Sequence, residues 1–245
     1  MRYFRLFPFS RADFRVFSMP RSAPTPAPEM PAKIDHADFY AKASSALSSL
    51  DADWARLVER VGPCLHESKP AREPYEALIR AVSHQQLHAK AAESILGRFI
   101  RLFFEDPTPA DFPAPKQVVS MDIARIQACG FSAKKAACIV GIALAAESGL
   151  VPSLADTAQF SDEALIERLV ALPGIGRWTV EMFLIYSLER MDILPVDDFG
   201  VREGFKRLKG LSAQPTRGFL AKAGVAWGPY RTIASWYLWR VPLDF

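Results

Sequence analysis

The sequence predicts an all-α fold arranged as two helical lobes. Three observations carry this: apolar residues recur at helical spacing along most of the chain, strand-like alternation is scarce, and short turns containing Gly, Pro or Asp separate the helical stretches. With 245 residues, 50% of them hydrophobic, the chain can bury one large core or two lobes of one.

Residues 1–33 stand apart as an expected disordered tail, because Ser22-Ala23-Pro24-Thr25-Pro26-Ala27-Pro28 cannot build a core. Their apolar-aromatic start is broken by Arg5, Arg11, Asp13 and Arg15, so no uninterrupted apolar run for export or membrane spanning exists. Helices are predicted over 35–50 and 53–61, the latter with Trp54, Leu57, Val58 and Val61 on one face. Two more, 75–82 and 89–104, are joined by Ser83-His84-Gln85-Gln86-Leu87-His88. A Pro-rich loop over 106–115 precedes a helix at 117–128. Gly130 then ends one helix and Ser132 caps the next. Ser161 caps a helix over 162–171, and a second follows over 180–188. Asp197 or Asp198 starts another that runs to Leu208, and helices at 215–223 and 229–239 close the chain. Residues 75–190 are expected to form a central bundle, and residues 34–74 with 191–245 a second lobe.

The formal charge of +3 is not diagnostic of a polyanion partner. Residues 1–33 hold six basic and two acidic residues, which leaves 24 basic against 25 acidic elsewhere. Any basic footprint must be local. Cys64, Cys129 and Cys138 are widely spaced and give no disulfide framework, as expected in a reducing cytoplasm. His84 and His88 lack the spacing of metal ligands, and His36 and His66 carry no signal.

Leu172-Pro173-Gly174-Ile175-Gly176-Arg177-Trp178-Thr179 is the most specific stretch. A Pro-Gly-x-Gly turn allows positive φ and close backbone approach. It also presents amides at a helix N-terminus, where an anion such as phosphate is favoured. Twenty residues beyond Trp178 comes Asp198, in Leu194-Pro195-Val196-Asp197-Asp198-Phe199-Gly200. By local sequence each Asp of the pair reads as a helix cap, and either could do carboxylate chemistry.

The two blocks together resemble the helix-hairpin-helix (HhH-GPD) DNA glycosylase superfamily, in particular its 3-methyladenine DNA glycosylase II (AlkA) type. The resemblance spans residues 73–240 through four blocks in the family's order: 75–92, 130–142, 172–188 and 194–208. It implies a two-lobed helix-hairpin-helix glycosylase fold in short form, without the N-terminal β-rich domain of larger members. Without four closely spaced cysteines, it also implies no iron–sulfur cluster.

In the resemblance Asp198 is the catalytic carboxylate and Asp197 keeps the capping role. Trp178 stands where bifunctional members carry a lysine, which implies a monofunctional enzyme using water. Trp178, Met182, Phe199 and Trp239 match positions lining the base pocket, although Met182 replaces an aromatic residue of the long form. A core-packed Trp178 remains compatible with this. Trp227, Tyr230 and Trp236 are given core or rim roles. Leu172, Gly174, Ile175, Gly176, Arg177 and Thr179 would grip the DNA backbone, with a monovalent cation as a bridge. Lys134 and Lys135 are read either as phosphate contacts or as a solvated helix start. Gln85, Gln86 and Leu87 match the wedge loop, with Gln86 or Leu87 filling the gap left by a flipped base.

The implied function is release of alkylated purines, of the 3-methyladenine and 7-methylguanine type, from double-stranded DNA in base excision repair. Alternatives are a glycosylase for deaminated or oxidised bases and a non-catalytic damage-recognition module. The expected protein is a monomer without catalytic metal or other cofactor, acting on cytoplasmic (nucleoid) DNA, with no membrane partner and not secreted.

Overall fold

The structure, a computed structural model, describes residues 36–67, 72–85 and 87–245. The expectations for residues 1–33 and for Gln86 lie outside the described residues. Among the described residues there are α-helices and short 3-10 turns and no strand: α1 His36–Ser48, α2 Ala52–Val61, α3 Pro74–His84, α4 Ala89–Ile100, α5 Pro115–Ser120, α6 Ile123–Ala128, α7 Ala133–Glu147, α8 Asp162–Val170, α9 Arg177–Tyr186, α10 Phe199–Leu208, α11 Arg217–Ala223 and α12 Arg231–Leu238. No helix among them is long and apolar enough to cross a membrane.

Side-chain caps set several of the helix starts. Ser132 and Ser161 accept bonds from the amides of Lys135 and Ala164, starting α7 and α8 at the predicted places. The helix expected over 117–128 is two helices. Met121 is extended at ψ 140° and Asp122 caps α6 through the Ala124 amide, so the chain restarts there. The helix expected to reach residue 104 ends at Ile100 in tightened i→i+3 bonds, Leu102 to Phe99 and Phe103 to Ile100. Thr216 caps α11 through the Phe219 amide, so the helix expected from 215 starts at Arg217.

Two hydrophobic clusters form. One draws on α3 to α9, with Leu78, Ile79, Phe99, Ile139, Leu165 and Leu184 buried. The other joins α1 and α2 to α10 and α12, with Trp54, Leu57, Val201 and Tyr237 buried. Chain ends are tied across this second cluster by the Tyr237 hydroxyl, which donates to the Gly62 carbonyl at 3.0 Å and lies 2.8 Å from Ser44 Oγ. At Gly204 a Cβ would overlap the Leu238 carbonyl, so α10 and α12 touch backbone to backbone. That approach matters because Asp198 is the N-cap of α10 and Trp239 the C-cap of α12. Trp239 packs against both clusters, which places it at their junction.

Candidate active site

Asp198 is the N-cap of α10: its Oδ1 accepts the Val201 amide at 2.8 Å. The same carboxylate receives two indole N–H groups, Trp239 Nε1 on Oδ1 at 2.8 Å and Trp178 Nε1 on Oδ2 at 2.7 Å. Three donors therefore converge on one acceptor-only group and fix its plane. Asp198 thus caps the helix and also stands between two tryptophans. Asp197 does not cap, correcting that expectation. Its carboxylate turns to the Arg217 guanidinium, because the amide that a cap must reach lies three residues on from 198.

Trp178 is 39% exposed, so it is not a core side chain. Met182 follows one turn later on α9, half-buried against the first cluster. Tyr186 follows at the next turn, and Trp178, Met182 and Tyr186 make one stripe along the helix. The Tyr186 ring lies within 21° of parallel to Trp239, with centroids 6.3 Å apart. Burial raises the Tyr186 phenol pKa, and Asp198 adds to the rise, so it stays a protonated donor. Phe199 is open to solvent beside Asp198, without ring contact among the described residues. Behind Tyr186 sits His66, buried, 5.4 Å ring to ring. Burial lowers its pKa. Gly200 completes the wall, since a Cβ there would come within 2.8 Å of Trp239 Cδ1 and 3.1 Å of Asp198 Oδ1.

Sequence reading missed Tyr186, His66 and Gly200. The i, i+4, i+8 spacing from Trp178 was a usable signal for Tyr186. Nothing local pointed to His66, which lies after α2, far from α9 in the chain. Trp227 and Trp236 are buried in the second cluster, and Tyr230 is half-buried.

The hairpin between α8 and α9 has Gly174 at φ 85° and Gly176 as an N-cap without a side chain. The amides of Gly174, Gly176, Arg177 and Trp178 donate to nothing among the described residues, and both glycines are exposed. Leu172 and Ile175 are buried, so only their backbone can face a ligand. Thr179 is also buried. Its amide bonds the Gly176 carbonyl and its hydroxyl accepts from Gln85 Nε2. Arg177 is half-exposed but committed: two N–H groups go to Glu163 and Nε to Glu181 Oε1. Among the described residues, no group of three His, Cys, Asp or Glu could hold a metal ion.

Fold and site together define a helix-hairpin-helix protein with a carboxylate set among aromatic rings at the junction of two helical clusters. The model of the HhH-GPD superfamily of base excision DNA repair proteins matches residues 79–229. DNA-3-methyladenine glycosylase 1 of Schizosaccharomyces pombe is 46% identical over 200 residues, 81% of this chain and 86% of the relative. A structure of the Schizosaccharomyces pombe 3-methyladenine DNA glycosylase in complex with abasic DNA superposes with TM-score 0.74 at 44% identity, covering 83% of this chain and 98% of that one. A DNA-3-methyladenine glycosidase from Bacillus halodurans gives TM-score 0.70 at 31% identity, over 81% and 88% of the two chains. The chain belongs to the HhH-GPD superfamily.

Proposed function

We propose that this chain is a monofunctional DNA glycosylase of base excision repair. It hydrolyses the N-glycosidic bond of alkylated purines in double-stranded DNA and leaves an abasic site. The observation that carries the reading is the Asp198 carboxylate, held by the Trp178 and Trp239 indoles. Cleavage of the bond builds positive charge on the deoxyribose. A preorganised carboxylate beside that sugar stabilises the charge and orients water as the nucleophile. Alkylation at N3 or N7 makes the base cationic and a ready leaving group. Indole and phenol faces attract it with about 0.5–2 kcal/mol per contact. Trp178 occupies the α9 position at which a lysine would attack the sugar, so the chain's own residues supply no amine there.

DNA is held by the open amides of Gly174, Gly176, Arg177 and Trp178, which suit a phosphate, and backbone carbonyls of the hairpin would supply the ligands of a monovalent cation. The loop at Gln85, Gln86 and Leu87 fills the gap in the stack, and the protein acts as a monomer on cytoplasmic DNA without a cofactor. Asp198→Asn removes the negative charge and keeps the shape. Base release from methylated duplex should fall on the order of 10²–10³-fold or more, with binding to an abasic-analogue duplex retained. Normal turnover in that variant would falsify the assignment. Faster release of uracil, hypoxanthine or 8-oxoguanine than of 3-methyladenine would move the substrate class. Binding with no release from any duplex would make the chain a recognition module.

A further inference from the structure

The loop after α3 is tied down by an element with no part in the site described so far. Lys135, in the first turn of α7, points its ammonium away from solvent and into the end of α3. Its Nζ donates to the Ser83 carbonyl at 3.1 Å and to the Gln85 carbonyl at 2.7 Å. The other terminal carbonyls of α3 are also occupied, Val82 by the Gln85 amide and His84 by the Leu87 amide. A cation suits a helix C-terminus, where carbonyls converge and the dipole is negative. Burial lowers the Lys135 pKa. From the other side, Gln85 Nε2 reaches Thr179 Oγ1 on α9, at 3.3 Å. α7 is itself anchored by its preceding turn, since Arg98 Nε of α4 donates to the Cys129 carbonyl at 2.8 Å. Leu87, the described candidate for the gap, is 41% exposed just beyond these ties. Lys134, next in sequence, stays exposed.

We propose that Lys135 is a positioning residue for gap filling: its ammonium clamps the carbonyls of Ser83 and Gln85 and so fixes the direction in which the 85–87 loop enters the base stack. The inference rests on reading that loop as the wedge. The clamp acts on the backbone that carries the wedge and touches neither the sugar nor the base. Its effect should therefore appear only where a gap has to be filled. In an intact duplex, extruding the target leaves a hole between the flanking pairs. In a duplex lacking the nucleotide opposite the target, the flanking pairs can close on each other, and little gap-filling is needed.

The experiment measures single-turnover release of 7-methylguanine from both duplexes by the full-length wild type, Lys135→Met, Lys135→Arg and a Gln86→Ala/Leu87→Ala double variant. Expected for Lys135→Met is a loss of about tenfold on the paired duplex and less than about twofold on the bulged one, about 1.4 kcal/mol of selective effect. Lys135→Arg, which keeps a cation within reach, should recover most of the loss. A general packing defect would lower both rates alike, so equal losses, or no loss on either duplex, overturn the clamp. A paired-duplex defect in the double variant without one in Lys135→Met overturns the clamp and leaves the wedge standing. No selective defect in either removes the wedge reading, and the inference with it.

Discussion

Two turns of this protein share a plan: a helix, a glycine at positive φ, and a second helix. α6 and α7 meet at Gly130 (φ 108°), and α8 and α9 meet at Gly174 (φ 85°). They also touch, because a Cβ on Gly174 would lie 3.0 Å from Cys138 Sγ of α7. What separates them is the cap and the direction of the side chains. At the first turn Ser132 lays its hydroxyl over the helix end, and Lys135 turns inward to carbonyls. At the second, Gly176 leaves the helix end bare, and Trp178 carries the turn directly to Asp198. The helix–glycine–helix plan therefore does not by itself make a phosphate grip. In the proposed reading, the grip needs an uncapped second helix beside the carboxylate.

Gly174→Ala breaks the comparison hardest. Alanine in the left-handed region costs about 1–2 kcal/mol. Its methyl also meets Cys138, which is fixed in α7 and buried. Thermal unfolding should fall by several degrees and abasic-duplex affinity by about tenfold, roughly 1.4 kcal/mol. Gly130→Ala carries a similar backbone cost, but its methyl meets only the Arg98 and Ile95 side chains. It should lose stability and keep DNA affinity within about twofold, a fraction of a kcal/mol. Equal loss of affinity in both variants would make the first turn a DNA grip as well.

Gly176→Ser sharpens the same contrast with opposite signs. No atom lies within 4 Å of a Cβ at this position, and its φ of −95° suits any residue. The new hydroxyl should cap α9 as Ser132 caps α7 and add a few tenths of a kcal/mol to stability. It should also occupy the ground a phosphate needs, so anisotropy titrations with an abasic-analogue duplex should show severalfold weaker binding, about 1 kcal/mol, roughly one ordinary hydrogen bond. A variant more stable and equally tight would show that the bare helix end is not where the backbone is held.

The contrast also shows what a sequence can disclose. Helix starts at Ser132 and Ser161 were legible, since a hydroxyl cap acts over three residues. Asp198, Trp178 and Trp239 were legible only through resemblance, because their meeting spans 61 positions of the chain and both hydrophobic clusters. Asp197 was assigned the cap in error, since adjacent carboxylates look alike until an amide is seen to choose one. Thr179 reads as a contact to the DNA backbone, and Lys135 as a phosphate contact or a solvated helix start, yet both face inward. Their partners, Gln85 and the α3 carbonyls, lie 94 and about 50 residues away. The break at Asp122 was missed because apolar periodicity runs through it.

The smallest expected effect concerns how the bare hairpin is supported from below. Glu181 of α9 is 2% exposed, pairs with Arg177 through Oε1 at 2.9 Å and leaves Oε2 unbonded. Burial pushes its carboxyl up to about 7, Arg177 opposes this, and nearby Asp197 adds to the rise. A carboxyl whose folded pKa lies above its unfolded value of 4.5 is held more tightly as the acid in the folded state. Its favourable contribution is therefore complete below about pH 4.5 and is lost as pH rises towards about 7. Glu181→Gln cannot ionise and retains the Arg177–Glu163 pair across the hairpin. Urea midpoints of the wild type should decline between pH 5 and pH 8 more than those of the variant. Parallel curves would mean that Glu181 is ionised throughout, and that the hairpin rests on a permanent ion pair between Arg177 and Glu181.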